Sequence, residues 1–296
     1  MRDCPVCHAP ASAATLYIRE RMDASRLNEF SFASRKVPEF MNHRLVRCTE
    51  CDLVYVAAPP AQAELAQAYH VAAYDSAGEA SDAATTYLEA LGPVLATLPR
   101  KDAALEIGTG TGILLEKLAA AGFATLVGIE PSTAAIAAAS ERTRKSIRQG
   151  IFEESDFEPD SFDLICCFMT MEHVADPGKI ARSAYRLLRA GGAFVTVTHD
   201  YRGLVNRLLG VRSPIIDIEH MQLFSRRSVR RLFENAGYRN VEVSSLRNSY
   251  ALEYWLRLSP LPQRINRAVQ SCLAKFGLSQ RKLSVDVGNV VCAGTK

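Results

Sequence analysis

The sequence predicts an α/β fold: a seven-stranded, mostly parallel sheet with helices on both faces, preceded by a small cysteine-bearing segment. Three observations carry this prediction. From about residue 100, short β-branched or apolar runs alternate with longer stretches of helical periodicity, the pattern of strand–helix–strand units. The first run leads directly into a glycine-rich turn and a helix. Two C-x-x-C pairs stand in the first 51 residues, ahead of any such alternation. With 296 residues, 48% of them hydrophobic and 23% charged, the chain has room for one large core and a small appendage.

The expected boundaries are a module over 1–60, a helical connector over 61–100 that begins in an Ala-rich stretch, and the main domain over 101–296. The first strand is read at 103–107. A helix follows, with Ile113, Leu114, Leu118 and Ala121 on its apolar side, and Gly122 ends it. The second strand, 126–129, ends at Glu130, and Pro131 and Ser132 open an Ala-rich helix. A short third strand is expected at 146–149, a fully buried fourth at 162–168 and a helix at 176–189. Gly191 and Gly192 then turn the chain into a fifth strand at 193–198. Ser225 caps a helix that stops at Gly237, and 241–246 and 290–293 read as two closing strands. The interval 247–286 is too long for a hairpin turn and is expected to be a helical insertion.

Met1 is followed by Arg2, Asp3 and Cys4 in place of an apolar stretch, and no run approaches the length of a membrane-spanning helix. The expectation is a cytoplasmic protein, in which thiol pairs act as metal ligands or structural thiols. The net charge of +3 divides unevenly. Residues 201–296 carry 16 Lys plus Arg and 6 Asp plus Glu, or +10, which leaves −7 for residues 1–200. A basic third of this kind reads either as facing an anionic ligand or as solvated helix faces.

The turn LEIGTGTG over 105–112 lets the backbone approach a ligand without an intervening Cβ. A dinucleotide fingerprint would need a small residue at position 113, where Ile113 stands. Glu130, at the end of the second strand, can accept hydrogen bonds from both hydroxyls of a ribose. These features alone fit NAD and S-adenosylmethionine equally.

Four ordered segments go further. ALEIGTGTGILLEKL, VGIEPS, FDLICCFMTMEHVADP and EHMQLFSRRSVRRLFENAGY resemble the successive motifs of class I S-adenosylmethionine-dependent methyltransferases. The resemblance implies a Rossmann-like fold in which Glu106, Gly108, Gly110 and Gly112 hold the methionine part of the cofactor and Glu130 its ribose. Gly150, Ile151 and Phe152 would flank adenine. Many family members have Asp at the position of Ile151, so here another group must read the adenine edge. The DPPY-type tetrad of enzymes that methylate amino groups of DNA bases is absent, and Met169-Thr170-Met171-Glu172-His173 stands in its place.

Methyl transfer needs orientation and, for a hydroxyl or carbon acid, proton removal. His173, His220 and His199 lie at strand ends or loops on the ligand side of such a sheet, and His173 and His220 are the candidate general bases. Cys166 and Cys167 are read as core residues.

Cys4-Pro5-Val6-Cys7 and Cys48-Thr49-Glu50-Cys51 can form two knuckles presenting four thiolates to zinc, with His8 outside the ligand set. The excursion between them, with Phe30, Phe32 and Phe40, is expected to fold over the active site. A similar zinc module precedes methyltransferase domains in bacterial enzymes of sugar and secondary metabolism. Ribosomal RNA methyltransferases with such a module commonly include a His in the second pair, unlike this chain.

The expected function is methyl transfer to oxygen or carbon of a small metabolite such as a sugar or nucleotide-linked sugar, with an anionic acceptor if the basic third faces the substrate. An RNA methyltransferase and a non-catalytic binding module are the alternatives, and nothing resembling an RNA-reading motif is present. Two insertions, 201–224 and 247–286, are candidates for the acceptor pocket. The second brings Tyr250, Leu252, Tyr254, Trp255 and Leu258 together with Arg247, Arg257, Arg264 and Arg267. It reads either as a surface that stacks on a ring and pairs with an anion, or as a lid packed on the sheet.

Overall fold

The computed structural model describes residues 1–28, 31–32, 40–72, 77–259 and 262–296. The chain forms β1 (Ala14–Ile18), β2 (Leu45–Cys48), β3 (Val54–Val56), α1 (Gln62–His70), α2 (Ala77–Thr97), β4 (Ala103–Ile107), α3 (Ile113–Ala120) and β5 (Thr125–Glu130). It continues with α4 (Thr133–Ala138), α5 (Glu141–Arg144), β6 (Ile147–Gln149), β7 (Phe162–Phe168), α6 (Pro177–Leu187), β8 (Leu188–His199), α7 (Leu204–Leu209) and β9 (Gln222–Leu223). Last come α8 (Arg226–Ala236), β10 (Arg239–Ala251), α9 (Leu252–Leu258), α10 (Gln263–Lys275) and β11 (Lys282–Thr295).

The predicted seven-stranded sheet is present, in the order β10-β11-β8-β7-β4-β5-β6. β4 to β8 pair in parallel, and β11 runs antiparallel to both β8 and β10. β5 and β6 lie on one side of β4 and β7 and β8 on the other, so the strand order reverses there and opens a crevice beyond the strand C-termini.

Alternation within the buried strands sends side chains to two cores, a lower one against α6 and α8 and an upper one against α2 and α3. Leu105, Ile107, Cys167 and Phe194 pack on α6 and α8 through residues such as Ala184, Leu187 and Phe233. Ala104, Leu164, Cys166 and Val195 pack on α2 and α3 through Ala84, Leu91 and Leu118. Local chemistry sets the helix ends: Asp176 caps α6 by accepting from the Lys179 N–H at 2.8 Å, with Pro177 in the first turn. Ser225 and Ser228 cap α8 reciprocally, and Gly237 closes it in the left-handed conformation.

Two elements differ from the sequence reading. α6 ends at Leu187, and β8 begins at once with Leu188 paired to Phe162. The Gly191–Gly192 pair is an irregularity within the strand, not the turn before it. The closing strands are longer than expected and remain paired to Ala251 and Lys282, so helix occupies α9 and α10 rather than all of 247–286. Leu246, Asn248 and Tyr250 continue the inward positions of β10. Asn248 is a poor strand signal, and it is satisfied there because its carbonyl accepts from Asn289 at 2.8 Å.

The N-terminal strands form a four-stranded sheet in the order β1-β2-β3-β9, and its last strand comes from residues 222–223 of the main domain. Its core merges with the lower core, where Cys4, Val6 and Tyr55 share one apolar cluster with Phe194 and Phe233. Polar ties accompany this packing: Asn235 donates to the Val6 carbonyl at 2.9 Å, and Arg202 and the Tyr201 hydroxyl both bind the Asp52 carboxylate.

Candidate functional site

A cavity of about 350 Å³ lies over the C-terminal ends of β4, β5 and β7, within the range typical of small-molecule sites. Its floor is the β4–α3 turn. Gly110 takes φ +57°, and a Cβ built there meets nothing within 4 Å. Its N–H donates to Glu130 at 2.7 Å, and Ser132 N–H donates to the other Glu130 oxygen at 2.8 Å. That carboxylate, 8% exposed, is thus fixed by backbone donors, and each oxygen keeps a lone pair for a ligand hydroxyl. Burial pushes its pKa up, and the two backbone donors counter the shift.

Glu106 lines the same floor and accepts from the Thr109 hydroxyl at 2.5 Å. Burial raises its carboxyl to about 8, with the negative charge of Glu130 adding to the effect. Gly108, Gly150, Ile151 and Phe152 also line the cavity. Gly112 does not: it caps α3 at φ +71°, where a Cβ would come within 2.4 Å of the Thr143 methyl. Its requirement is helix–helix packing.

The other wall was less visible in the sequence. α1 carries Leu65 and Tyr69 on one face, four residues apart. Gln62 holds the start of α1 by accepting from the Ala175 N–H, and the Thr133 hydroxyl holds its end by donating to the His70 carbonyl. Tyr69 thereby reaches His173, with its hydroxyl 2.9 Å from Nδ1, and lies 3.2 Å from the Glu219 carbonyl. His173 Nδ1 is also 3.2 Å from that carbonyl and 3.9 Å from the Glu219 carboxylate. With Nδ1–H donated to the carbonyl, Nε2 carries the lone pair. Burial, with Glu219 and Glu172 facing it, holds Tyr69 as a neutral phenol. Phe32 packs edge-on to Tyr69, 5.4 Å between centroids, and lines the cavity. Of its expected companions, Phe40 is exposed away from the lining, and Phe30 lies outside the described residues.

The three histidines form a row, with ring centroids 4.9 Å apart for His173 and His220 and 5.4 Å apart for His220 and His199. Only His173 lines the cavity. His220 is buried behind it with Nδ1 at 2.8 Å from the Ile215 carbonyl, so Nδ1 carries a proton that it donates there. His199 is bonded to Asn289 at 2.8 Å, and burial lowers its pKa to about 4, so it stays neutral. Glu172, fully buried beside it, accepts the His199 N–H at 2.6 Å, and burial raises its pKa to about 8.

The insertion 201–224 contributes Glu219 to the cavity, whereas none of the described residues of 247–286 lines it. Tyr250 of β10 and Tyr254 and Trp255 of α9 pack against the upper core beside Leu88 and Leu91, so the aromatics of this insertion face the sheet and not the cavity. The side chains of Arg257 and Leu258 lie outside the described residues. Among the described residues of the lining Lys179 is the one lysine or arginine, and it pairs with Glu153 at 3.1 Å.

Away from the cavity, Cys4, Cys7, Cys48 and Cys51 place their sulfurs within 4.8 Å of one another, with Cys4–Cys51 and Cys7–Cys48 at 3.5 Å. The two knuckles are equivalent. The His8 N–H closes the first onto the Cys4 carbonyl and the Asp52 N–H closes the second onto the Cys48 carbonyl, with both residues at positive φ. Four thiols this close, three of them buried, cannot all ionise without a cation, and sulfurs at about 2.3 Å from a tetrahedral zinc would stand at similar separations. The donor set fits that metal.

A glycine turn and a buried strand-end carboxylate at the switch point of a parallel sheet define a protein that binds a nucleoside-bearing ligand. The family model of the methyltransferase domain matches residues 79–243, more than half of the chain, and the chain belongs to that family. The ubiquinone biosynthesis O-methyltransferase of Pseudomonas putida is 32% identical over 114 residues, which cover 36% of this chain and 49% of that protein. The Pseudomonas fluorescens enzyme of the same name is 31% identical over 117 residues. The chain spans about half the length of the curated relatives it matches. A solved structure from Thermotoga maritima, described as a possible histamine N-methyltransferase, is similar with 22% identity and a TM-score of 0.49, covering 74% of this chain and 91% of that one. A putative methyltransferase from an antibiotic biosynthesis pathway of Anabaena variabilis is similar at 15% identity and TM-score 0.49, covering 71% and 97%.

Proposed function

We propose that the protein transfers a methyl group from S-adenosylmethionine to a hydroxyl oxygen of a small metabolite. The observation that carries this reading is a single cavity bounded by Glu106, Gly110 and Glu130 on one side and by Tyr69, His173 and Glu219 on the other. When bound, the cofactor supplies an electrophilic methyl on a sulfonium. Glu130 would take the ribose hydroxyls and Glu106 the cationic methionine end, with Gly150 to Phe152 along the adenine. His173 would accept the proton of the acceptor hydroxyl as the carbon–oxygen bond forms, with Tyr69 and Glu219 orienting its ring. The O-methyltransferase relatives favour oxygen over carbon as the acceptor atom. A sugar or nucleotide-linked sugar fits the hydroxyl chemistry, but Lys179, paired with Glu153, is the one lysine or arginine among the described lining residues and gives no support to an anionic acceptor. Zinc at the four cysteines would be structural, since that cluster does not line the cavity.

Calorimetry tests the donor: S-adenosylmethionine and its demethylated product should bind in preference to NAD, and Glu130→Ala should weaken them about tenfold or more. NAD binding without S-adenosylmethionine binding overturns the reading. Incubation with metabolite extracts, followed by a search for mass gains of one methyl group, names the acceptor.

A further inference from the structure

The distal end of the β10–β11 hairpin carries chemistry that the cavity does not use. Between Glu253 and Asp286 the sequence has no acidic residue and six basic ones: Arg257, Arg264, Arg267, Lys275, Arg281 and Lys282. Within α10 and just after it, Ile265, Val269, Cys272, Leu273 and Phe276 recur at the steps of one helix face. A surface helix ordinarily buries such a stripe, yet Ile265 is 50% exposed and Phe276 73%. Lys282 pairs with Asp82 of α2 at 2.8 Å and ties the hairpin to the main body.

α7 and the turn after it repeat the combination. Leu204, Leu208 and Val211 follow at i, i+4 and i+7 and are 70%, 78% and 65% exposed. Arg207 and Arg212 alternate with them, Arg202 being held by Asp52, and no acidic residue lies between Asp200 and Asp217. Both patches stand at the same end of the same strand. Asn206 of α7 donates to the Val287 carbonyl of β11 at 3.3 Å. β11 pairs with β8 only from Asn289 onward, opposite His199, so its residues 282–288 project beyond the end of the sheet that bears the cavity.

We propose that this face docks on an anionic lipid bilayer, with the apolar side chains of α7 and α10 entering the interface and the basic side chains meeting lipid phosphates. The charge selects an anionic surface, and the aliphatic residues select lipid: a nucleic-acid backbone would leave Leu204, Leu208 and Ile265 in water.

The test is co-sedimentation of the full chain with vesicles of phosphatidylcholine alone or mixed with phosphatidylglycerol. Binding is expected only to the mixed vesicles, at least about tenfold tighter and weakened by salt. Leu208→Ser combined with Phe276→Ser should reduce binding about tenfold or more, and Arg264→Glu combined with Lys275→Glu should abolish the phosphatidylglycerol preference. Unchanged circular dichroism would show that both variants fold. Equal binding to both vesicle types, binding to neither, or an apolar variant that binds as well as the parent overturns the proposal. So does an RNA oligonucleotide that binds tighter than the mixed vesicles. Vesicle binding needs no cofactor, and S-adenosylmethionine affinity measured on the same preparation separates failure of this proposal from failure of the methyl-transfer reading.

Discussion

Glu106 shows how one residue can couple donor binding to pH. In the folded protein burial pushes its carboxyl up to about 8, against an ordinary value of 4.5. The folded state then binds more protons than the unfolded state between those values, so this group's contribution to stability falls as pH rises through that window. A cationic ligand favours the carboxylate, so its arrival releases the proton. S-adenosylmethionine affinity is expected to rise as pH rises toward about 8 and to level off above it, with proton uptake by the buffer visible in calorimetry. Glu106→Gln should flatten the profile, and a flat profile in the parent protein would remove this coupling. The second residue-scale expectation concerns the facing wall. His173→Ala should lower kcat about a hundredfold or more with little change in donor affinity. Tyr69→Phe keeps the ring packing on Phe32 but removes the hydroxyl, so a smaller fall with a displaced kcat–pH profile is expected. Equal losses in donor affinity would instead mean that both residues only hold the cavity's shape.

Among the elements, legibility followed the physics of each signal. β4, β5 and β7 were visible because buried parallel strands are continuous apolar runs, and α8 because its cap and its stop are both encoded locally, at Ser225 and Gly237. The floor of the cavity was legible for the same reason, since a turn and a strand-end carboxylate are sequence-local. The wall was not. Tyr69 and Glu219 are 150 residues apart and meet only in the folded chain, and α1 offers only an aromatic within an Ala-rich stretch. The outer halves of β10 and β11 were hidden by an inward asparagine and by the distance between the strands. Since Arg247 is an outward residue of β10 and none of the described residues of 247–286 lines the cavity, Arg247→Glu is expected to leave KM for a soluble acceptor within about twofold of the parent value. Steady-state kinetics at low salt check this, and a several-fold rise in KM would bring an anionic acceptor back.

For the whole molecule, the four cysteines connect metal content to stability, because their cluster belongs to the lower core of the sheet rather than to a detached knob. About one zinc per chain is expected. Cys48→Ser should lose it and lower the Tm by roughly ten degrees. Full zinc content with unchanged melting in that variant would remove the four-thiolate assignment. The two-residue strand β9 carries a consequence for biosynthesis. The first sixty residues emerge early from the ribosome, but their sheet lacks its fourth strand and much of its apolar backing until residues 222–233 have followed. Residues 1–60 are therefore translated before the main domain but reach their final packing only after it. Nascent chains arrested before residue 222 should leave the cysteines open to alkylation, and chains arrested well beyond 236 should protect them.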